Sequence, residues 1–98
     1  MAEIAFDSLV SGKSVAIEVD GVAVCVARIG DEVFAVEDTC THSEASLSEG
    51  EITGTKIECW LHGAEFDLRT GEALTPPATA ALKTFKVEVN GNQVVVTN

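Results

Sequence analysis

Ninety-eight residues carry sixteen Asp plus Glu against six Lys plus Arg, a formal net charge of −10. That length supports one domain, residues 1–98, burying somewhat above ~60% of the unfolded chain's surface. The charge argues against nucleic acid or an anionic membrane surface as partner. No run of ~18 or more apolar residues occurs, so no helical membrane span is expected.

Read in chain order, the sequence is almost wholly β. The start, Met1-Ala2-Glu3-Ile4, lacks the basic and apolar runs of a signal peptide, which sets the expectation of a cytoplasmic protein. Residues 7–13 offer at most a helical turn, as do residues 44–47. Val15, Ile17 and Val19 alternate with Ala16 and Glu18, and Asp20-Gly21 then turns the chain into the apolar run Val22–Ile29. Gly30-Asp31 makes a second turn into residues 32–36. These three segments predict an antiparallel meander with one buried face. Cys25 lies inside the apolar run and reads as a packed, inert thiol. Ile57-Glu58-Cys59 forms a short strand, residues 65–68 another, and Arg69-Thr70-Gly71 turns the chain back through Glu72-Ala73-Leu74. Residues 82–89 and Gln93–Thr97 flank Asn90-Gly91, a strong hairpin signal.

Two motifs between these strands carry chemistry. Cys40-Thr41-His42 and Cys59-Trp60-Leu61-His62 contain two of the three cysteines and both histidines. Each pair joins one potential thiolate to one imidazole. The two side chains of a pair diverge, so each loop offers a sulfur and a nitrogen to two different irons. A [2Fe–2S] centre of mixed ligation needs two cysteines on one iron and two histidines on the other. A structural zinc site usually groups like ligands in each close pair. A zinc-stabilised interaction module and unligated loop residues are the competing readings. With Cys40 and Cys59 committed to metal, Cys25 remains alone, which excludes a disulfide framework and fits a reducing compartment.

At these residues the chain resembles the Rieske-type ferredoxins, the small electron carriers of multicomponent aromatic-ring-hydroxylating dioxygenases. The resemblance rests on Asp38-Thr39-Cys40-Thr41-His42, Leu47-Ser48-Glu49-Gly50, Cys59-Trp60-Leu61-His62-Gly63, Phe66-Asp67-Leu68-Arg69-Thr70-Gly71 and Pro76-Pro77. It implies the Rieske fold, an antiparallel β-sandwich base with a small inserted cluster-binding subdomain at about 36–74. It implies one [2Fe–2S] cluster on Cys40, His42, Cys59 and His62, with both imidazoles reaching solvent as the electron's exit. Pro76-Pro77 resembles the family's third loop, which packs over the cluster. The implied role is that of a one-electron carrier with no turnover of its own. It would be a monomer, reduced by a flavin-dependent ferredoxin reductase and oxidised by a terminal oxygenase. A Rieske subunit of a nitrite reductase or monooxygenase complex is the alternative.

Three departures from the high-potential Rieske proteins of cytochrome bc complexes bear on the potential. Ala45 and Leu61 stand where those proteins carry a disulfide, and Ala64 and Phe66 stand where they carry serine and tyrosine. Hydroxyl donors to sulfur stabilise the more negative reduced state. Their loss predicts a potential of about −150 mV, the lower end of the Rieske range. Metal-bound imidazoles keep a ring proton that oxidised iron makes more acidic, so the potential is expected to fall at high pH. Trp60 is either a partner contact or a shield for the cluster, Leu61 borders His62 as a shield, and Gly63 and Gly71 serve turns. Glu44, Glu49, Glu51 and Glu65 lie near the ligand loops and form a candidate acidic rim for a basic docking face.

Overall fold

The computed structural model describes residues 2–38, 47–59, 64–74 and 81–97. Among the described residues, nine antiparallel strands form three three-stranded sheets. The first sheet is β1 (Ala2–Ala5), β9 (Gln93–Thr97) and β8 (Lys86–Asn90), in that order. The second is β2 (Lys13–Val19), β3 (Val22–Ile29) and β4 (Glu32–Glu37), and the third is β5 (Ile52–Thr53), β6 (Lys56–Glu58) and β7 (Glu65–Asp67). Short 3-10 turns at Phe6–Ser8 and Leu47–Glu49 are the helical elements among the described residues. The first overlaps the turn expected at 7–13. Most of the segment 44–47 lies outside the described residues.

The meander is the element most directly encoded. Asp20 and Gly21 both take positive φ, +50° and +81°, which is what a two-residue type I′ hairpin requires. The turn sets the register Val19↔Val22 through Lys13↔Arg28. The expectation of one buried face is wrong, however. Val24 to Ala27 are all fully buried, because the middle sheet is covered on both sides. Val24, Val26, Val33 and Ala35 face one apolar core with Leu9, Val94 and Val96. Cys25, Ala27, Phe34 and Val36 face a second core with Leu47, Ile57, Cys59 and Phe66. A strand buried on both faces is apolar throughout, not alternating, and that is how residues 22–29 read.

Three further differences concern β1 and the C-terminal strands. The expected strand at 82–89 is divided between two sheets. Leu82, Thr84 and Phe85 run beside β4, with Phe85 N–H donating to Ala35 O at 2.9 Å and a bridge at Val36↔Thr84. Only Lys86 onward pairs with β9. The final hairpin turns on Gly91-Asn92 and pairs Asn90 with Gln93, one residue beyond the Asn90-Gly91 expected. Gly91 takes φ +60°, so the glycine occupies the first loop position, as a II′ turn demands. Strand β1 carried no turn or alternation signal of its own. It forms by pairing with β9 across the whole chain, Ala2↔Val96 to Ala5↔Gln93.

Candidate metal centre

The site is built from the roots of its loops. Strand β4 leads into Asp38, whose N–H donates to Ala23 O at 3.0 Å. The chain then leaves through residues 39–46 and returns at Leu47, whose N–H donates to Asp38 O at 2.6 Å. The next amide, Ser48 N–H, donates to Asp38 Oδ1 at 2.8 Å. Asp38 thus binds both ends of the first loop. From the base, Ser14 Oγ donates to Ser48 O at 3.2 Å, and Gly50 N–H closes the 3-10 turn on Leu47 O at 2.9 Å.

The second loop is the tip of the β6–β7 hairpin. Glu58 pairs with Glu65, and beyond them Cys59 N–H donates to Ala64 O at 2.7 Å. Cys59 is fully buried, and so are Ala64 and Phe66. These three share one apolar core with Leu47, the residue that ends the first loop.

The two roots touch through their backbones. A Cβ at Gly50 would collide with the carbonyl oxygen of Glu58, and Glu58 N–H donates to Glu51 O at 2.9 Å. Only glycine permits that approach. The third loop starts at the same end: Leu74 N–H donates to Glu65 O at 2.8 Å, and Leu82 N–H returns to Gly71 O at 2.7 Å.

Of the four expected ligands, Cys59 is placed, on the root of the second loop. Cys40, His42 and His62 lie outside the described residues, as do Ala45, Trp60, Leu61, Gly63 and Pro76-Pro77. The fit to a mixed-ligand cluster is tested by the surroundings. Such a centre needs two loops anchored at one place and an apolar wall on the sulfur side, and the described residues supply both. Ala64 and Phe66 line that wall with no hydroxyl. Of the expected acidic rim, Glu51 is exposed and Glu65 half-buried at the loop roots, while Glu44 and the Glu49 side chain lie outside the described residues. Cys25 sits behind the wall, fully buried. Burial pushes its thiol pKa up to about 12, against the smaller opposing effect of the Ser14 hydroxyl, so it stays a neutral packing group.

The comparisons agree with this anatomy. Residues 2–86 match the Rieske [2Fe-2S] domain family. The chain belongs to that family. Its cofactor is therefore the Rieske-type [2Fe–2S] cluster, and its all-β architecture is the Rieske fold. Ferredoxin CarAc of Metapseudomonas resinovorans is 48% identical over 73 residues, covering 74% of this chain and 68% of the relative. The ferredoxin of carbazole 1,9a-dioxygenase from Nocardioides aromaticivorans IC177 superposes with a TM-score of 0.93 at 36% identity, over 96% of this chain and 92% of that one. A chain from the complex of reduced oxygenase and oxidized ferredoxin in carbazole 1,9a-dioxygenase gives 0.90 at 40% identity, over 95% of this chain and 87% of that one.

Sequence reasoning quoted Asp38, Ser48 and Gly50 as part of a resemblance and gave them no role. The Rieske fold reveals their work as the joints of the ligand loops. An aspartate two residues before an expected ligand cysteine, and a glycine three residues after the first loop closes, were the available signals.

Proposed function

We propose that this chain is the ferredoxin component of a multicomponent ring-hydroxylating oxygenase system. In it Cys40 and Cys59 hold one iron, and His42 and His62 hold the other. The observation that carries the reading is that the roots of the two Cys/His segments meet, through Gly50 and Glu58, beside buried Cys59. When bound, the cluster takes up one electron and passes it on. The chain's own residues hold the loops together, exclude water from the sulfur side and keep the reacting centre at one end of the molecule. Residues 1–98 form one domain in this proposal, with 36–74 as the cluster-binding subdomain.

The donor is a flavin-dependent reductase and the acceptor a terminal oxygenase. Two of the structures named above support this, since one is the ferredoxin of carbazole 1,9a-dioxygenase and the other a complex of reduced oxygenase and oxidized ferredoxin. A net charge of −10 suits basic docking faces on both partners. The protein works as a cytoplasmic monomer. Among the described residues no helix is long and apolar enough to cross a membrane.

The test is direct. The purified protein is red-brown and contains about two irons and two sulfides per chain, with a low average g value in the reduced EPR spectrum. It passes electrons from reductase to oxygenase and turns over no substrate alone. Cys40→Ser or His62→Ala abolishes the spectrum. A colourless protein binding one zinc would refute the reading.

A further inference from the structure

We infer that Asp38 is the positioning residue of the first ligand loop, its side-chain carboxylate clasping the loop's return so that Cys40 and His42 are presented at a fixed place. The inference rests on the assignment of Cys40 and His42 as ligands.

Asp38 is the one charged side chain buried among the described residues, 6% exposed. A carboxylate removed from water is costly unless hydrogen bonds compensate it, so its place demands a reason. The geometry supplies one. Asp38 O accepts from Leu47 N–H and Asp38 Oδ1 accepts from Ser48 N–H. The chain that departs at Thr39 therefore comes back to the residue it left. Eight intervening residues, 39–46, contain Cys40 and His42, the ligands assigned to this loop.

The backbone bond alone fixes one point. The side-chain bond adds a second point one residue on, and two points fix a direction. Ser48 is also held on its other side, where Ser14 Oγ donates to its carbonyl. Leu47 meanwhile packs in the core that contains Cys59. Asp38 thus links the departing strand β4 to the return segment that abuts the second loop at Gly50 and Glu58. With no disulfide at positions 45 and 61 to tie the loops, this clasp is what orients the first loop relative to the second.

The experiment uses the cluster-loaded protein. Asp38→Leu keeps the side chain's shape and removes the acceptor; Asp38→Asn keeps an oxygen that accepts from Ser48 N–H. The readouts are the rate of cluster loss to a strong iron chelator, followed by visible absorbance, and the g values of the reduced EPR spectrum. D38L loses its cluster roughly tenfold faster or more, with shifted g values, whereas D38N stays within about threefold of the parent with unchanged g values. Equal loss rates for D38L and D38N, or a D38L spectrum and loss rate like the parent's, would overturn the proposal. Where D38L does not fold by far-UV circular dichroism, Asp38→Glu takes its place, since it moves the acceptor by one methylene. Faster loss and altered g values are then expected, and parental behaviour refutes. Cys40→Ser separates the premises: if it keeps the parental spectrum, the ligand assignment fails and the inference with it. If C40S loses the cluster while D38L behaves as the parent, the role of Asp38 alone fails.

Discussion

Gly50→Ala is the sharpest single-residue probe of how the two ligand loops are joined. The new methyl would occupy the position of the Glu58 carbonyl oxygen, and the obstacle is backbone, which cannot rotate away. Forcing a group into a packed site costs about 1–3 kcal/mol. Moving Glu58 also strains its N–H bond to Glu51 O, 2.9 Å long, worth about 1 kcal/mol. Replacing glycine by alanine restricts the unfolded chain and returns about 0.4–1 kcal/mol. The net destabilisation is about 1–3.5 kcal/mol, centred on ~2 kcal/mol, and that central value corresponds to roughly 10–15 °C in Tm at this chain length. Gly91→Ala is the control. Its Cβ meets no atom within 4 Å, although its φ of +60° is strained for alanine, at a cost of about 1–2 kcal/mol. Thermal unfolding of both cluster-loaded variants by circular dichroism, with iron and sulfide content, makes the comparison. G50A should melt lower than G91A and hold less cluster. A G50A protein that melts with the parent and keeps full iron content would refute the close backbone contact between the loop roots.

Phe66→Tyr places a hydroxyl in the wall beside Cys59, where Phe66 is fully buried. If that hydroxyl reaches a sulfur, protein-film voltammetry shows a midpoint raised by some tens of millivolts over the parent's; an unchanged or lower midpoint argues against the missing donor as a cause of low potential. Burial of Cys25, with its pKa raised from 9.0 to about 12, means that the folded state disfavours the thiolate that the unfolded chain forms readily. Its contribution to stability is therefore complete below pH 9 and falls between pH 9 and 12, with a slope of at most about 1.4 kcal/mol per pH unit. Chemical denaturation across that range measures it, and Cys25→Ala should flatten the slope. Reduction by a partner reductase should slow steeply as salt rises, given the −10 charge; a flat salt profile in stopped-flow removes electrostatic docking.

The local chemistry of this protein was legible in its sequence. The meander followed from Asp20-Gly21 and the apolar run after it, because a type I′ turn and its register depend on adjacent residues. The Cys/His pairs indicated a mixed-ligand cluster because ligand type and spacing are local properties too. What tertiary structure decided was everything set by residues far apart. Strand β1 exists only through β9, 88 residues away in the pairing Ala5↔Gln93 and 94 at Ala2↔Val96. Residues 24–27 are buried on both faces because the sheet built from the two chain ends covers one side, and the mid-chain sheet β5–β7 with Leu47 and Leu82 covers the other. Asp38 and Gly50 acquire their roles only when strand β4, the return at Leu47 and the hairpin at Glu58 meet. Sequence pointed to the kind of cluster and proposed its ligands, since coordination chemistry reads residue types; only the fold supplied the joints at the loop roots, since a hydrogen bond or a close contact reads positions in space.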